Sequence, residues 1–133
     1  MASAMPADCT LVTVEIDERL AAAAARLFTT DRRVDVLAGD AYCLLPASGP
    51  FDLLFADGGR PDTADLASLA GLLRLGGQIV MDDVTPTTLL PAHSPLRGHD
   101  VKREFFFGDP RLVSTEVVLP DLRNALLAGT RQA

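Results

Sequence analysis

The chain has 133 residues, 48% of them hydrophobic, with 12 basic against 18 acidic side chains and a formal net charge of −6. This length and apolar content predict one folded domain over residues 1–133 and argue against disorder. Because the basic residues form no stripe and the net charge is negative, nucleic acid is not an expected partner. No apolar run is long enough to cross a membrane and the N-terminus lacks a signal-peptide pattern, so we expect a cytoplasmic protein without a membrane partner.

The first third of the chain alternates strand and helix signals. Residues 11–16 (LVTVEI) are rich in β-branched side chains and predict a strand. Asp17 is placed to cap the alanine-rich helix that follows. Residues 34–37 predict a second strand, and residues 41–45 predict a single helical turn that a proline stops. This alternation is typical of an α/β fold.

The stretch at residues 51–59 (FDLLFADGG) is the strongest strand signal in the chain. Five of its first seven residues are apolar, which predicts a central strand buried on both faces of a parallel sheet. The strand ends at Asp57, and ligands of parallel α/β sheets bind beyond such carboxyl ends. Gly58 and Gly59 leave room there for a ligand or a second backbone.

The next predicted elements are a helix and a strand. Asp62 or Thr63 caps the helix, and Gly76-Gly77 ends it. The helix carries four leucines at helical spacing: Leu66, Leu69, Leu72 and Leu73. Residues 78–81 (QIVM) predict a strand that Asp82 and Asp83 close.

The last third begins with a proline-rich stretch at residues 85–98, which predicts a loop over the sheet edge. Residues 100–107 predict a helix that directs three consecutive phenylalanines towards the core. Residues 112–119 and 122–128 predict two strands joined by Pro120-Asp121, most simply an antiparallel pair.

Acidic side chains follow several of the predicted strands: Glu15, Asp40, Asp57, Asp82 and Asp83. Parallel strands bring these acids to one edge, where the carboxylate after the first strand suits both hydroxyls of a ribose. Asp40 suits the exocyclic amine of a base. The last three offer oxygen ligands to Mg²⁺ or Ca²⁺. Taken singly, each acid fits a plain turn or a helix cap better than a ligand contact, but four together at strand ends favour a site.

Four stretches resemble successive motifs of the class I S-adenosylmethionine-dependent methyltransferases, in particular the catechol and caffeoyl-CoA O-methyltransferases. These stretches are residues 11–17 (LVTVEID), residues 39–41 (GDA), residues 51–58 (FDLLFADG) and residues 72–84 (LLRLGGQIVMDDV). The resemblance implies a three-layer, Rossmann-like sandwich, with a mostly parallel sheet and an antiparallel C-terminal strand pair. It also implies methyl transfer to a hydroxyl of a small-molecule acceptor, and a homodimer as a common assembly.

The resemblance also assigns roles to residues. The cofactor S-adenosylmethionine is implied to contact Glu15, Ile16, Gly39, Asp40, Ala41 and Asp57. A metal, Mg²⁺ or Ca²⁺, is implied to bind Asp57, Asp82 and Asp83, where it would lower the pKa of the acceptor hydroxyl. Asp57 and Arg60 occupy the catalytic positions.

Three departures from the family pattern qualify these roles, and the first two are at site residues. Asp83 stands where the metal triad usually ends in asparagine. Arg60 stands where the catechol enzymes carry a lysine base, and an arginine stays charged, so it suits an oxyanion or a substrate acid instead. His93 and His99 are the alternative bases, although both also fit exposed loop positions.

The third departure concerns the start of the fold. The sequence contains no glycine-rich GxGxG turn, and the family's first strand is expected to be absent from the middle of the sheet, between the strands at residues 11 and 51. Three readings follow: an O-methyltransferase lacking its N-terminal part, an inactive remnant that serves as an interaction or dimerisation module, or another nucleotide-binding α/β domain.

Overall fold

The computed structural model describes residues 2–57, 59, 61–119 and 123–132. It is an α/β structure that divides into two compact units, Met1–Gly49 and Pro50–Ala133. The expectation that residues 1–133 form one domain stays a prediction. In the described residues no helix is long and apolar enough to span a membrane.

The first unit contains two parallel strands, each followed by a helix. Strand β1 (Leu11–Glu15) pairs with β2 (Val34–Ala38), from Leu11 opposite Val34 to Glu15 opposite Ala38. Helix α1 (Glu18–Leu27) connects them, and helix α2 (Ala41–Leu44) follows β2. Both strands and the single-turn helix were predicted, and the cap at Asp17 is confirmed because its carboxylate accepts hydrogen bonds from the amides of Arg19 and Leu20.

The second unit contains a four-stranded sheet in the order β3-β4-β6-β5. Its elements are β3 (Phe51–Ala56), α3 (Thr63–Gly71), β4 (Leu73–Val84), α4 (Val101–Gly108), β5 (Leu112–Leu119) and β6 (Asn124–Arg131). Strand β4 is parallel to β3 and antiparallel to β6, which is in turn antiparallel to β5. The predicted antiparallel C-terminal pair is therefore confirmed, although β6 runs on to Arg131.

Helices α3 and α4 pack against one face of this sheet. The core between them contains Leu66, Leu73, Ile79, Phe106 and Leu127, each fully buried. The rings of Phe105 and Phe106 meet edge to face, with centroids 5.9 Å apart. The expectation that Phe107 also points to the core was wrong, since its side chain is 56% exposed. Successive residues of an α-helix are about 100° apart, so three in a row cannot share one face.

The boundary between α3 and β4 also differs from the prediction. The helix ends at Gly71, Leu72 caps it, and Leu73 already belongs to the strand. Glycines 76 and 77 therefore lie inside β4 instead of before it. The parallel register jumps there, because two residues along β3 match five along β4. Gly76 has a φ of +79°, so the local backbone conformation is one that glycine adopts without strain.

The prediction that β3 is buried on both faces was wrong for this unit. Leu54 is buried, but its neighbours Leu53 and Phe55 are 48% and 45% exposed. Strand side chains alternate between the two faces, and the helices of this unit cover only one of them. Among the described residues, β3 pairs only with β4, so it forms an edge of the four-stranded sheet.

Candidate functional site

The first group of candidate residues lies where β1 and β2 end. Glu15, the last residue of β1, pairs with Ala38, the last residue of β2. The main-chain oxygen of Glu15 accepts a hydrogen bond from the Gly39 amide at 3.0 Å, and its side-chain Oε1 accepts one from the Asp17 amide at 2.9 Å. The Asp17 contact fixes the direction of the half-buried carboxylate. Ile16, between these two acids, is 76% exposed.

Asp40 and its neighbours lie at the same end of β2. The Asp40 side chain caps α2, because Oδ1 accepts a hydrogen bond from the Tyr42 amide at 2.9 Å. Ala41 is the first residue of that helix. Gly39 has a φ of +142°, and a Cβ there would approach a side-chain carbon of Leu44 to 3.0 Å. The structure thus brings the five predicted cofactor residues of this unit to one edge, while their role stays a prediction.

The second group of candidate residues lies on the sheet of the second unit. Ala56 pairs with Met81 at the end of the parallel β3–β4 ladder, so Asp57 and Asp82 follow at the same level of adjacent strands. Asp57 is exposed, and Asp82 is half-buried. Asp83 has a φ of +57° and lies in a register shift between β4 and β6. This left-handed conformation is uncommon for a residue other than glycine.

The predicted metal triad is not assembled. Asp57, Asp82 and Asp83 all belong to the described residues, and among those residues no group of three or more histidine, cysteine, aspartate or glutamate side chains could hold a metal ion. One Asp82 oxygen instead accepts a hydrogen bond from the Asp83 amide at 2.7 Å. A site for Mg²⁺ or Ca²⁺ needs several converging oxygens. The donor set therefore does not fit the implied metal.

A half-buried ion cluster that sequence reasoning missed fixes the end of β4. Arg103 of α4 donates to both carboxylate oxygens of Glu116 at 3.0 and 2.8 Å, and it also pairs with Asp100. Its Nη2 donates to the main-chain oxygen of Thr85 at 2.8 Å, directly after the strand. The Glu116 hydrogen bonds raise the pKa of Arg103 above its ordinary value. The cluster joins α4, β5 and the segment that follows Asp82 and Asp83.

Lys102 is a second missed residue. Its Nζ lies 3.5 Å from the main-chain oxygen of Asp82 and 3.4 Å from that of Asp83. It brings a positive charge to a strand end where the sequence indicated only acids. The one sequence signal for the Arg103 cluster was the three-residue spacing of Asp100 and Arg103 on a predicted helix. Because that spacing is common on helix surfaces, it did not single out the cluster.

The remaining predicted catalytic residues stay predictions. Arg60 lies outside the described residues. His99 is exposed and its Nδ1 lies 2.8 Å from a carboxylate oxygen of Glu104, whereas His93 is exposed in the loop before it. A histidine paired with a glutamate fits a surface contact as well as a base held for catalysis.

No family model and no curated protein matches this chain. Solved structures do match. A crystal structure from Klebsiella pneumoniae, provisionally described as an O-methyltransferase, is 26% identical with a TM-score of 0.75, and covers 100% of this chain. The cofactor-bound protein Rv0187 from MTB is 28% identical with a TM-score of 0.68 over 93% of the chain. A structure from Clostridium thermocellum, provisionally described as an rRNA methylase, is 16% identical with a TM-score of 0.74 over 99%.

The chain has a methyltransferase fold. This agreement confirms the predicted Rossmann-like α/β class. The chain spans 66% of the Klebsiella structure, 62% of the MTB structure and 78% of the Clostridium structure. The activity, substrates and partners of a whole enzyme are therefore matters for proposal.

Proposed function

We propose that this chain is the S-adenosylmethionine-binding part of a methyltransferase that methylates a hydroxyl group of a small molecule. The observation that carries the proposal is the edge of the first unit, where the Asp17 amide orients the Glu15 carboxylate and the Glu15 main chain bonds to Gly39, next to Asp40. A carboxylate in this position on a Rossmann-like sheet suits the two hydroxyls of a ribose. The neighbours at 26% and 28% identity support the same assignment.

Each residue of this edge has a distinct part in the proposal. Glu15 accepts the ribose hydroxyls through the oxygen that Asp17 does not occupy. The exposed Ile16 offers apolar surface against one face of the adenine. The Asp40 oxygen outside the helix cap accepts the exocyclic amine, and Gly39 with Ala41 lets the base approach the backbone closely.

The cofactor, when bound, supplies an electrophilic methyl carbon on its sulfonium. The contribution of the protein is to hold the acceptor hydroxyl in line with that carbon, which accounts for much of the rate in such two-reactant sites. The contact of Asp57, which is exposed directly after β3, with the cofactor stays a prediction. The structure does not support a metal-assisted route, and none is part of the proposal.

Calorimetric titration of the whole chain with S-adenosylhomocysteine tests the proposal. We expect micromolar binding, and we expect Glu15→Ala to weaken it roughly 10- to 100-fold, because hydrogen bonds to a charged acceptor contribute about 1.5–3 kcal/mol. Glu18→Ala is the matched control, since it removes the same charge from an exposed position in the first turn of α1. It should leave the affinity unchanged.

The other outcomes separate the alternatives. A folded chain that binds no S-adenosylhomocysteine contradicts the proposal and favours the inactive remnant. Binding that Glu15→Ala and Glu18→Ala weaken equally shows a general charge effect and contradicts the assigned ribose contact. An affinity that rises in the presence of Mg²⁺ would restore the metal prediction.

The acceptor class is tested separately, by incubating the chain with labelled S-adenosylmethionine and a catechol-like diol. Transfer of label to the diol oxygen supports O-methylation. The likeness to the Clostridium structure, at 16% identity, concerns the fold alone. The net charge of −6 opposes RNA as the acceptor.

A further inference from the structure

Strand β5 forms the other edge of the four-stranded sheet, and it has few of the features that protect such edges. Among the described residues its only strand partner is β6, which it matches over eight consecutive pairs without a register shift. Its sequence, LVSTEVVL, contains no proline, lysine or arginine. Val113, Val117 and Val118 are 57%, 44% and 48% exposed. Long, regular, apolar edges of this kind tend to pair with another strand.

The edge also carries little charge. Its one charged residue, Glu116, turns to the helix side of the sheet, where both of its oxygens accept hydrogen bonds from Arg103. The Glu116 side chain is 19% exposed. Most of the net charge of −6 is therefore carried elsewhere on the chain, and it opposes contact between two copies at this strand only weakly.

The hydrogen-bond pattern shows which backbone groups point outwards. The Gln132 amide donates to the Arg111 oxygen at 2.7 Å, one step before the first β5–β6 pair. Hydrogen-bonded and non-hydrogen-bonded pairs alternate along an antiparallel ladder, so the odd-numbered residues of β5 bond to β6. The backbone groups of residues 112, 114, 116 and 118 consequently point away from the sheet.

We propose that β5 pairs with β5 of a second copy of this chain, antiparallel about a twofold axis that passes between the two Thr115 residues. This register places Val113 opposite Val117 and Leu112 opposite Val118, and it engages seven residues of each strand. A register centred on Glu116 would also engage seven, but it would place two carboxylates opposite each other. A strand that matches itself in this way gives a closed, symmetric dimer.

The other sheet edge of this unit is less suited to the same contact. Strand β3 has six residues, its pairing with β4 is interrupted by a register shift, and Asp52 pairs with Arg74 at the surface. A contact of one strand pair buries less than the roughly 800 Å² per partner of a standard interface. We therefore expect a reversible dimer with a dissociation constant in the micromolar range or weaker.

Disulfide trapping tests the register directly. In the whole chain carrying Cys9→Ser and Cys43→Ser, which removes the two exposed thiols, Thr115→Cys should form a covalent dimer under mild oxidation. Residues opposite each other in a non-hydrogen-bonded pair have Cα atoms about 4.5 Å apart, which a disulfide spans. Val113→Cys is the matched control on the same strand and face. In the proposed register its two copies are about 13 Å apart along the strand, so it should not cross-link.

Sedimentation velocity over a range of concentrations tests the association without cysteines. We expect a concentration-dependent dimer that Thr115→Lys weakens at least tenfold and that Leu53→Lys, on β3, leaves intact. A monomer at all concentrations, equal cross-linking of Thr115→Cys and Val113→Cys, or a dimer lost only with Leu53→Lys would each overturn the proposal. These outcomes are independent of cofactor binding.

Discussion

The two units of the chain differ in how much apolar surface they bury. In the described part of the first unit, the buried apolar residues are Ala21 and Val34. Ile16 and Leu27 of that unit are each 76% exposed. The described part of the second unit buries two phenylalanines and seven leucines, and its core lies between the sheet and two helices.

The unit that we expect to be more stable is therefore not the unit with the candidate cofactor contacts. The second unit has the three or more strands and the packed helices that a sheet needs for independent stability, whereas a two-stranded parallel sheet rarely stands alone. The candidate ribose and adenine contacts nevertheless lie on the first unit. The residues proposed to recognise the cofactor thus belong to the part of the chain with the smaller core, where local opening is expected to cost least.

The largest expected effect contrasts the two cores. Phe106→Ala should lower the free energy of unfolding by about 3–5 kcal/mol, because the side chain is fully buried and leaves a cavity. Leu27→Ala in the first unit should change it by less than about 0.5 kcal/mol, since that side chain is mostly exposed. Urea denaturation followed by circular dichroism measures both.

A second probe shows whether the units unfold together. Tyr42 is the one tyrosine of the chain, which has no tryptophan, so tyrosine fluorescence reports on the first unit. If the chain is a single domain, Phe106→Ala should shift the urea midpoints measured by fluorescence and by circular dichroism equally. A fluorescence midpoint that does not move would contradict it and indicate two independently folding units.

An intermediate effect is expected at the irregular part of β4. Gly77→Ala would place a Cβ 2.8 Å from the main-chain oxygen of Phe51 and 2.9 Å from that of Arg74. Backbone atoms cannot move aside as a flexible side chain does, so we expect a loss of about 1–3 kcal/mol. Gly71→Ala is the control, because no atom lies within 4 Å of its added Cβ and a helix favours alanine over glycine. It should leave the stability unchanged or raise it, and an equal loss at both positions would refute the close approach.

The smallest effect concerns an ion pair of the first unit. Arg33 bonds to Asp31 at 2.7 Å and also to main-chain oxygens of Met5 and Ala2. Its hydrogen bond lowers the pKa of Asp31 from 3.8 to about 2. A carboxyl with a lowered pKa stabilises the folded state above its unfolded pKa, and this stabilisation is lost as the pH falls through the folded value.

Thermal unfolding of the wild type and Asp31→Asn measures this contribution. The difference in Tm should be small and constant above pH 5, should shrink as the pH falls below 3.8, and should vanish near pH 2. Exposure to solvent screens the pair, so the difference should also decrease with added salt. A difference that stays constant down to pH 2 would exclude the pair as its cause.

The strands, the caps and the order of elements could be read from the sequence because each depends on a few neighbouring residues. The β-branched run before Glu15, the cap at Asp17 and the acid after β3 are local signals, and the structure contains all three. Leu73 was predicted to belong to the helix because it continues the leucine spacing of α3. Packing of that side chain beneath the helices decides in favour of the strand.

The sequence by itself determined the α/β class, the parallel pairing of strands that end in acids and the resemblance to methyltransferases. It could not determine the bulged path of β4, the exposed face of β3 or the Arg103 cluster. Those features depend on which residues meet across the sheet, at separations of 13 or more positions for Arg103 with Glu116 and Thr85. Local patterns fix the elements because their causes are local. The contacts between elements are decided only when the chain packs and each buried group finds its partner.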